Sequence, residues 1–266
     1  MKKLFTYLFI AALSFAAITS CSKETEAPIE EQSPIEEEGI NITVIAGDKD
    51  VDNDPSKTKT YVLEDGNTVH VYWQETDRLR VYEVLDGGEQ EQVYYAATKK
   101  TTVIDGGKTA EFEANLSGSV TGEHTSYVYT AIYPEDCASK SGENYRVLIP
   151  ATQNLKETNL ASDADVLIGA PIDKGNTRIK AGDVLEYQFK RYGTTVKMTL
   201  KGITASAKLR KVEIKAPVSM AGYGYVDLTT GEITKTEGTS TTMTLNVNDV
   251  VGDETGNIPV WVRVLS

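Results

Sequence analysis

TKTYVLEDGNTVHVYWQETDRLRVYEV, residues 58–84, is the stretch of sequence that decides the fold class. Apolar and polar residues alternate through Thr68–Trp73, so two valines and Trp73 share one face of a predicted strand. The turn signal Glu64–Asn67 precedes this strand, and the polar residues 74–77 separate it from another strand, which begins at Leu79. An apolar face of this size has to be covered by other elements. We therefore expect the first core hairpin of a β-sandwich here.

The strand pattern recurs through the rest of the chain. Val, Ile, Thr and Tyr are frequent, turns containing glycine recur, and no long helical periodicity follows the N-terminal segment. Tyr127–Tyr133 alternates cleanly, and its tyrosine face is either core or a platform for stacking carbohydrate; we favour core. The 266 residues exceed one usual domain. We predict an all-β protein with two domains.

The first twenty residues have the features of a secretory signal peptide. Lys2 and Lys3 precede the apolar run Leu4–Ile18, which is too short for a comfortable transmembrane helix. The run ends on small residues directly before Cys21 and thereby resembles a bacterial lipobox. This resemblance implies cleavage before Cys21 and acylation of its thiol, so Cys21 is the predicted lipidation site. The alternative is an ordinary signal peptide with a chance cysteine.

An acidic segment follows Cys21. Residues 22–54 carry eleven carboxylates and two lysines, in a chain whose net charge is −12. Residues 21–39 contain too few large apolar side chains to order themselves, so we predict an extended, disordered tether. Lys23–Glu26 also resembles the export signal of Bacteroidetes surface lipoproteins. The acidic charge disfavours nucleic acid and anionic lipid headgroups as partners.

Residue patterns for catalysis or metal binding are weak in this sequence. The two histidines, His70 and His124, are not spaced as metal ligands, and Cys137 has no base beside it. Asp48–Asp54 is rich in carboxylates but does not continue with the glycine and glutamate of an EF-hand, so we interpret it as a solvated loop. We therefore predict no enzyme activity, no catalytic or metal-binding residues and no cofactor.

The order of short motifs along the chain resembles the fimbrillin family, the FimA-type and Mfa-like lipoproteins of Bacteroidetes. Each motif is degenerate, and their order over nearly the whole chain carries the resemblance. The motifs are the lipobox at Cys21, Thr58–Thr60, Val71–Trp73 with Asp77–Tyr82, Ala131–Pro134, Ile149–Gln153, Glu186–Phe189 with Thr194–Met198, and Asp227–Gly231.

The resemblance implies a fold and a function. The implied fold is two tandem transthyretin-like β-sandwiches, and the implied protein is a structural, tip or anchor subunit of fimbriae that serves adhesion. Subunits are implied to polymerise by donor-strand exchange, in which a protease removes an N-terminal strand and another subunit's strand replaces it. Asn41–Ala46 is the predicted displaced strand. The implied partners are other fimbrial subunits and a host or bacterial surface receptor. The implied location is the outer membrane, through the lipid anchor only, at the cell surface or in the fimbrium.

Two features depart from the family pattern. Maturation in the family is implied to need an arginine just before the core, but the first arginine here is Arg78. Lys57 and Lys59 are therefore the candidate maturation sites for another protease, or the chain is not processed. Residues 259–265 still have a strand pattern, so we expect either a truncated chain or an incomplete second sandwich with an open edge.

These inferences give a domain order and a second functional hypothesis. The predicted parts are the signal peptide 1–20, the tether 21–39, an N-terminal β-sandwich 40–175 and a C-terminal β-sandwich 176–266. The alternative function is a surface lipoprotein that binds glycans, with Tyr223 and Tyr225 as the stacking platform. We favour the fimbrial subunit.

Overall fold

The computed structural model describes residues 39–47, 61–65, 68–86, 92–118, 120, 124–141, 144–155 and 160–265. The described residues lie in one compact unit. The predictions for the signal peptide, the tether, Cys21, Lys57 and Lys59 lie outside the described residues.

The described chain is built of β-strands and short 3₁₀ turns at 105–107, 135–137 and 162–164, and this confirms the all-β prediction. The strands are β1 (Ile40–Ala46), β2 (Tyr61–Asp65), β3 (Thr68–Tyr72), β4 (Arg80–Asp86), β5 (Gln92–Ile104), β6 (Thr109–Leu116), β7 (Ser126–Tyr133), β8 (Ala138–Ser141), β9 (Asn144–Ile149), β10 (Thr152–Asn154), β11 (Leu167–Gly169), β12 (Ile172–Asp173), β13 (Val184–Tyr187), β14 (Phe189–Arg191), β15 (Thr194–Leu200), β16 (Leu209–Lys215), β17 (Ala221–Val226), β18 (Ile233–Ser240), β19 (Thr242–Val250) and β20 (Ile258–Val264).

Within the described ranges these strands form five hydrogen-bonded sheets. The largest has nine strands in the order β13-β1-β6-β5-β4-β7-β11-β14, with β12 also paired to β7. A four-stranded sheet has the order β18-β17-β9-β8, and a three-stranded sheet has the order β10-β19-β16. The remaining pairs are β15-β20 and β2-β3. The long strand β5 pairs with β4 through its first half and with β6 through its second half.

The nine-stranded sheet encloses the first hydrophobic core. Its end strands, β13 and β14, stand at opposite ends of the strand order but are separated in sequence only by Gln188. The two ends of the sheet therefore meet, and the inward side chains of β1, β6, β7 and β13 pack together inside. Trp73 is 2% exposed in this core, where the rings of Phe112, Tyr133 and Phe189 approach it edge-on at 5.3 to 5.9 Å.

Strand β7 is buried on both faces. Tyr127, Tyr129 and Tyr133 point into the first core, at most 7% exposed. Val128 and Ile132 of the same strand point into a second core, which also contains residues of β9 and β17 from the four-stranded sheet. Such a strand needs apolar residues on both faces. The burial of its tyrosines confirms the interpretation of this face as core.

A third core lies between the three-stranded sheet and the β15-β20 pair. Met243 and Leu245 of β19 are fully buried against Val260 and Val262 of β20. Side chains of β15 and β16 that pack on the same core stay partly exposed. The third core is therefore closed at its centre and open along one side.

The predicted turn signal Glu64–Asn67 lies at the junction of β2 and β3, which pair antiparallel as a hairpin, with Asp65 opposite Thr68. The strand that begins after residues 74–77, β4, does not join this hairpin and pairs with β5 and β7. The cause is a tight turn between β3 and β4. The Asp77 side chain accepts a hydrogen bond from the Gln74 N–H at 2.7 Å, and the Asp77 N–H donates to the Gln74 carbonyl at 3.0 Å. This turn directs the chain out of the small sheet and into the large one.

A buried ion-pair network joins the nine-stranded sheet to the third core. Asp165, just before β11, is fully buried and accepts hydrogen bonds from Arg191 of β14 at 2.8 and 3.0 Å. It accepts a further hydrogen bond from Arg263 of β20. Gln153 of β10 pairs with the backbone of Arg263, donating to its carbonyl at 2.6 Å and accepting from its N–H at 3.1 Å.

Charge pairing outweighs burial at Asp165. Burial alone would raise the pKa of its carboxyl, but the Arg191 and Arg263 guanidinium groups hold that pKa below its usual value. Burial lowers the pKa of Arg263 and the Asp165 charge opposes this change, but a guanidinium stays charged. The stabilisation is therefore present above the pKa of the unfolded carboxyl and is lost as the pH falls through the lower pKa of the folded state.

The predicted division between residues 175 and 176 stays a prediction, as do the two tandem transthyretin-like domains. Strands β13 and β14 follow residue 176 and belong to the same sheet as β1 and β4–β7. Any division into two sandwiches has to keep these two strands with the first core.

The ion-pair network predicts a specific loss of stability. Asp165→Asn should lower the free energy of unfolding by about 3–5 kcal/mol, because it leaves two arginines without their buried counter-charge. Urea unfolding followed by tryptophan fluorescence at pH 7 measures this loss. Asp163→Asn, which changes an exposed carboxylate two residues away, should alter stability by no more than about 0.5 kcal/mol. Equal losses in the two variants would contradict the role given to Asp165.

Candidate functional site

The candidate site is β1 together with the two strands that hold it. Strand β1 lies second from one end of the nine-stranded sheet, between β6 and β13. It is antiparallel to β6 along its whole length, from Ile40 opposite Leu116 to Ala46 opposite Ala110. It is parallel to β13 over the four residues 43–46. The segment predicted from sequence as the displaced strand is thus a strand hydrogen-bonded on both edges.

The backbone of β1 alternates between its two neighbours. The Thr43 N–H donates to the Asp183 carbonyl at 3.1 Å, and the Asn41 carbonyl accepts from the Gly182 N–H at 2.9 Å. Odd-numbered residues therefore direct their backbone groups away from β6, and even-numbered residues direct theirs toward it. The Asn115 side chain opposite Asn41 donates to the Asn41 side chain at 2.7 Å.

Every second side chain of β1 fills the first core. Ile42, Val44 and Ala46 are at most 3% exposed and pack with residues that include Phe112 and Leu185. Burial of a side chain the size of Ile42 or Val44 stabilises the fold by roughly 1.5–3 kcal/mol. A strand that replaced β1 would need small or medium apolar side chains at the same alternate positions.

Gly47 ends β1 at a place with no room for a side chain. Its φ is +151°, and a Cβ there would lie 2.9 Å from the Cα of Thr109. The chain that follows, residues 48–60, lies outside the described residues and includes Lys57 and Lys59. The described part of β1 therefore ends in close contact with the start of β6.

A cluster that we call the Arg178 clamp (Arg178, Glu83 and Tyr129) fastens the segment leading into β13. Arg178 donates to both carboxylate oxygens of Glu83, at 2.7 and 2.8 Å, and to the Ser117 carbonyl at 2.6 Å. The Tyr129 hydroxyl donates to Glu83 at 2.8 Å and accepts from the Ile179 N–H at 3.3 Å. Because Glu83 is fully buried in β4, the clamp attaches this segment to the centre of the sheet.

The environment of the clamp raises the pKa of two of its members, Arg178 and Tyr129. Hydrogen bonding to Glu83 raises the pKa of Arg178, and burial beside the Glu83 carboxylate raises the pKa of Tyr129. At neutral pH the Arg178 guanidinium therefore stays charged, and the Tyr129 phenol stays protonated and donates to Glu83.

Sequence reasoning missed the Arg178 clamp. Glu83 offered a signal, because it is a lone carboxylate inside the apolar strand β4. Arg178 offered none, since it lies in a polar stretch and its partner is 95 residues away in the chain. The parallel contact of β13 with β1 was missed for the same reason.

Tyr223 and Tyr225, the predicted stacking platform, lie partly exposed on the outward face of β17. The Arg146 guanidinium lies over the Tyr223 ring at 4.0 Å, and the Lys235 ammonium lies over the Tyr225 ring at 5.0 Å. A cation therefore occupies one face of each ring. This arrangement does not favour the glycan-binding alternative.

His124 and Cys137 are both buried. Burial raises the pKa of the Cys137 thiol, which keeps it in the unreactive protonated form. His124 packs edge-on against Tyr127 at 5.6 Å, and its ring nitrogens have no hydrogen-bond partner among the described residues. The side chain of His70 lies outside the description.

The described part of the chain contains no group of three or more His, Cys, Asp or Glu placed to hold a metal ion, and Asp48–Asp54 lies outside it. Its helical turns include none that is long and apolar enough to cross a membrane.

The profile of a family described as fimbrillin-like matches residues 58–261, more than half of the chain. The chain is also similar to the crystal structure of a "putative cell adhesion protein" from Bacteroides ovatus ATCC 8483, at 15% identity with a TM-score of 0.42. That similarity covers 85% of this chain and 77% of the other. A search of curated proteins gave no match.

The Arg178 clamp predicts that removing one partner costs more than removing both. Arg178→Met should lower the free energy of unfolding by about 3–5 kcal/mol, because Glu83 is left buried without its counter-charge. Adding Glu83→Gln to this variant should recover part of the loss, since the buried charge is then gone. Urea unfolding of the single and double variants measures both effects.

Lys180→Met provides the control for the clamp, because Lys180 is an exposed cation two residues away. We expect its effect to stay within about 0.5 kcal/mol. If the double variant is less stable than Arg178→Met alone, Glu83 stabilises the fold without Arg178, and this outcome would contradict the clamp.

Proposed function

The chain belongs to the fimbrillin-like family, and on this premise we propose that it is a surface-exposed subunit of fimbriae that serves adhesion. The subunit joins its neighbour by donor-strand exchange, with β1 as the strand that is displaced. Its partners are other fimbrial subunits. The family assignment favours a structural role over a catalytic one.

The observation that carries this proposal is the position of β1. Its backbone pairs on both edges, and its alternate side chains occupy the first core, so its departure would leave an apolar groove between β6 and β13. A groove flanked by two strands is what β-strand addition requires, because main-chain hydrogen bonds supply affinity and side-chain pockets set the register.

Proteolysis between β1 and β2 would free β1 from the rest of the chain. Lys57 and Lys59 lie in this connection, so cleavage there would leave β1 held only by non-covalent contacts. We propose these lysines as the maturation sites, for a protease that does not require arginine.

Cys21 is the proposed point of membrane attachment. Acylation of its thiol would anchor the protein to the outer membrane, with residues 21–39 as a tether between the lipid and the folded unit. Two or more acyl chains give stable anchoring, because each buried methylene contributes about 0.8 kcal/mol.

A disulfide that fixes β1 in place tests strand exchange. Asn41 and Asn115 lie opposite each other, at a separation that a disulfide spans, so Asn41→Cys with Asn115→Cys should link β1 to β6. After trimming with a lysine-specific protease, wild-type protein should give heat-resistant ladders on a denaturing gel and filaments by electron microscopy. The oxidised double variant should stay monomeric, because its β1 cannot leave.

Two controls accompany this test. Reducing the double variant should restore the ladders. Substituting Gln for Lys49, Lys57 and Lys59 together should prevent them, because no lysine then remains between β1 and β2. Trimmed wild-type protein that remains monomeric, or ladders from the oxidised variant, would contradict displacement of β1.

The two cysteines allow a matched test of lipidation. Cys21→Ala should abolish incorporation of an alkyne-labelled fatty acid in cells and move the protein out of the detergent phase, because the acylated thiol is lost. Cys137→Ala should retain the label, since Cys137 is buried in the fold. Label retained in Cys21→Ala would place the anchor elsewhere.

A further inference from the structure

The third core has an open side, formed by the free edges of β15 and β16. Gln153 of β10 bonds to Arg263 of β20, which places β10 and β20 together on the closed side. Since the strand orders are β10-β19-β16 and β15-β20, the edges of β16 and β15 lie on the opposite side. Within the described ranges, β15 pairs only with β20 and β16 pairs only with β19.

Aliphatic side chains on the open side are only partly buried. Val196 is 37% exposed, and Met198, Val212 and Ile214 are partly exposed although the last three pack on the third core. Val260, on the adjacent strand β20, is fully buried. Covering exposed apolar surface is favourable by about 25 cal/mol per Å². An apolar segment laid along this side would therefore bind favourably.

The outer edge of β15 offers backbone hydrogen-bonding groups. Arg263 directs its N–H and C=O to Gln153, away from β15, and it lies opposite Thr195. In an antiparallel pair, residues opposite each other direct their backbone groups the same way, both inward or both outward. Thr195 therefore directs its backbone N–H and C=O to the open side. Thr199 does the same, because backbone groups alternate between the two edges of a strand and the two residues are four positions apart.

The other edge of the β15-β20 pair cannot accept a strand. Gln153 already occupies the backbone groups of Arg263 there, and Pro259 has no N–H to donate. An added strand can therefore extend this pair only at β15.

The open side is basic, although the chain as a whole is acidic. Residues 194–216 contain six basic residues and one acidic residue, a local charge of +5 in a chain of net charge −12. Arg210 is paired with Asp249 at 2.5 Å, but Lys201, Lys208 and Lys211 have no ion-pair partner among the described residues. Lys211 lies on the edge strand β16, where a lysine opposes pairing with the same edge of a second copy. A lysine there also attracts a strand that carries carboxylates.

We propose that the open side binds an acidic strand-forming segment of another protein, in which aliphatic residues alternate with carboxylates. The aliphatic side chains would lie against Met198 and Val212, and the backbone would pair with β15. Alternation places the carboxylates on the outer face, where Lys211 also lies because Val212 and Ile214 face the core. This surface is independent of β1 and requires no proteolysis.

A labelled peptide tests the proposal on the untrimmed protein. The probe is the synthetic octapeptide Thr-Val-Glu-Val-Glu-Val-Glu-Thr with fluorescein at its N-terminus, titrated by fluorescence anisotropy in about 150 mM NaCl. A peptide of the same composition with its valines and glutamates in separate blocks should bind at least about tenfold more weakly, because it cannot present one apolar face.

Variants of the open side separate backbone pairing from charge. Thr195→Pro removes the outward N–H and should weaken binding about tenfold, whereas Thr195→Val keeps the backbone and should change it less than about twofold. Lys211→Glu should weaken binding about fivefold, and Lys140→Glu on β8 should have no effect. Unchanged thermal unfolding midpoints would show that each variant is folded.

Four outcomes would overturn the proposal. If the two peptides bind equally, or if Thr195→Pro binds as the wild type does, the interaction is due to charge alone and not to strand pairing. If the protein dimerises and Lys211→Glu abolishes the dimer, a second copy of this chain occupies the open side. Binding that appears only after deletion of residues 22–38 would make the chain's own acidic segment the occupant. Because β1 stays in place throughout, none of these outcomes depends on strand exchange at β1.

Discussion

The single residue between β13 and β14 constrains the whole first core. A chain that passes from one end of a nine-stranded sheet to the other through Gln188 forces the sheet to curl until its ends are adjacent. Strand β1 lies beside this closure. Its outer neighbour β13 is attached to β14 at one end, and the Arg178 clamp fastens the segment that leads into its other end. The strands on both sides of β1, β6 and β13, are therefore held by contacts that do not involve β1. If β1 leaves, the groove should persist for an incoming strand.

The connection to the third core is electrostatic and directional. Asp165 holds Arg191 of the closed sheet and Arg263 of β20 at the same carboxylate. A buried ion pair adds little net stability over an apolar contact, because desolvation offsets the attraction, but the loss of one partner is costly. The network therefore acts mainly to fix the position of β20. That position in turn determines which edge of the β15-β20 pair is blocked by Gln153 and which edge stays open.

Alternation in the sequence predicted which segments are strands and which of their faces are buried, because these properties are local. Asn41–Ala46 and Tyr127–Tyr133 follow from period alone. Pairing partners did not follow. Strand β4 leaves the hairpin of β2 and β3, because the side chain of Asp77 closes a turn that alternation does not reveal. The Arg178 clamp and the parallel β13 depend on contacts between residues far apart in sequence, for which one sequence holds no signal.

The two places proposed to accept a strand differ in charge, and this difference would keep their ligands apart. The outward residues of β1 are uncharged, and Ile45 lies opposite Glu111 and Glu186 on the flanking strands. Thr43 lies opposite Glu113, which is paired with Lys100 at 3.2 Å. An acidic strand in this groove would place carboxylates beside carboxylates, which is destabilising in directly opposed pairs. At the open side the same strand would meet Lys211 and the other lysines. Repulsion at one place and attraction at the other is sufficient to discriminate between two strands that share the same apolar alternation. The groove of β1 would therefore select a neutral strand by the size of its buried side chains, and the open side would select an acidic strand by its charge.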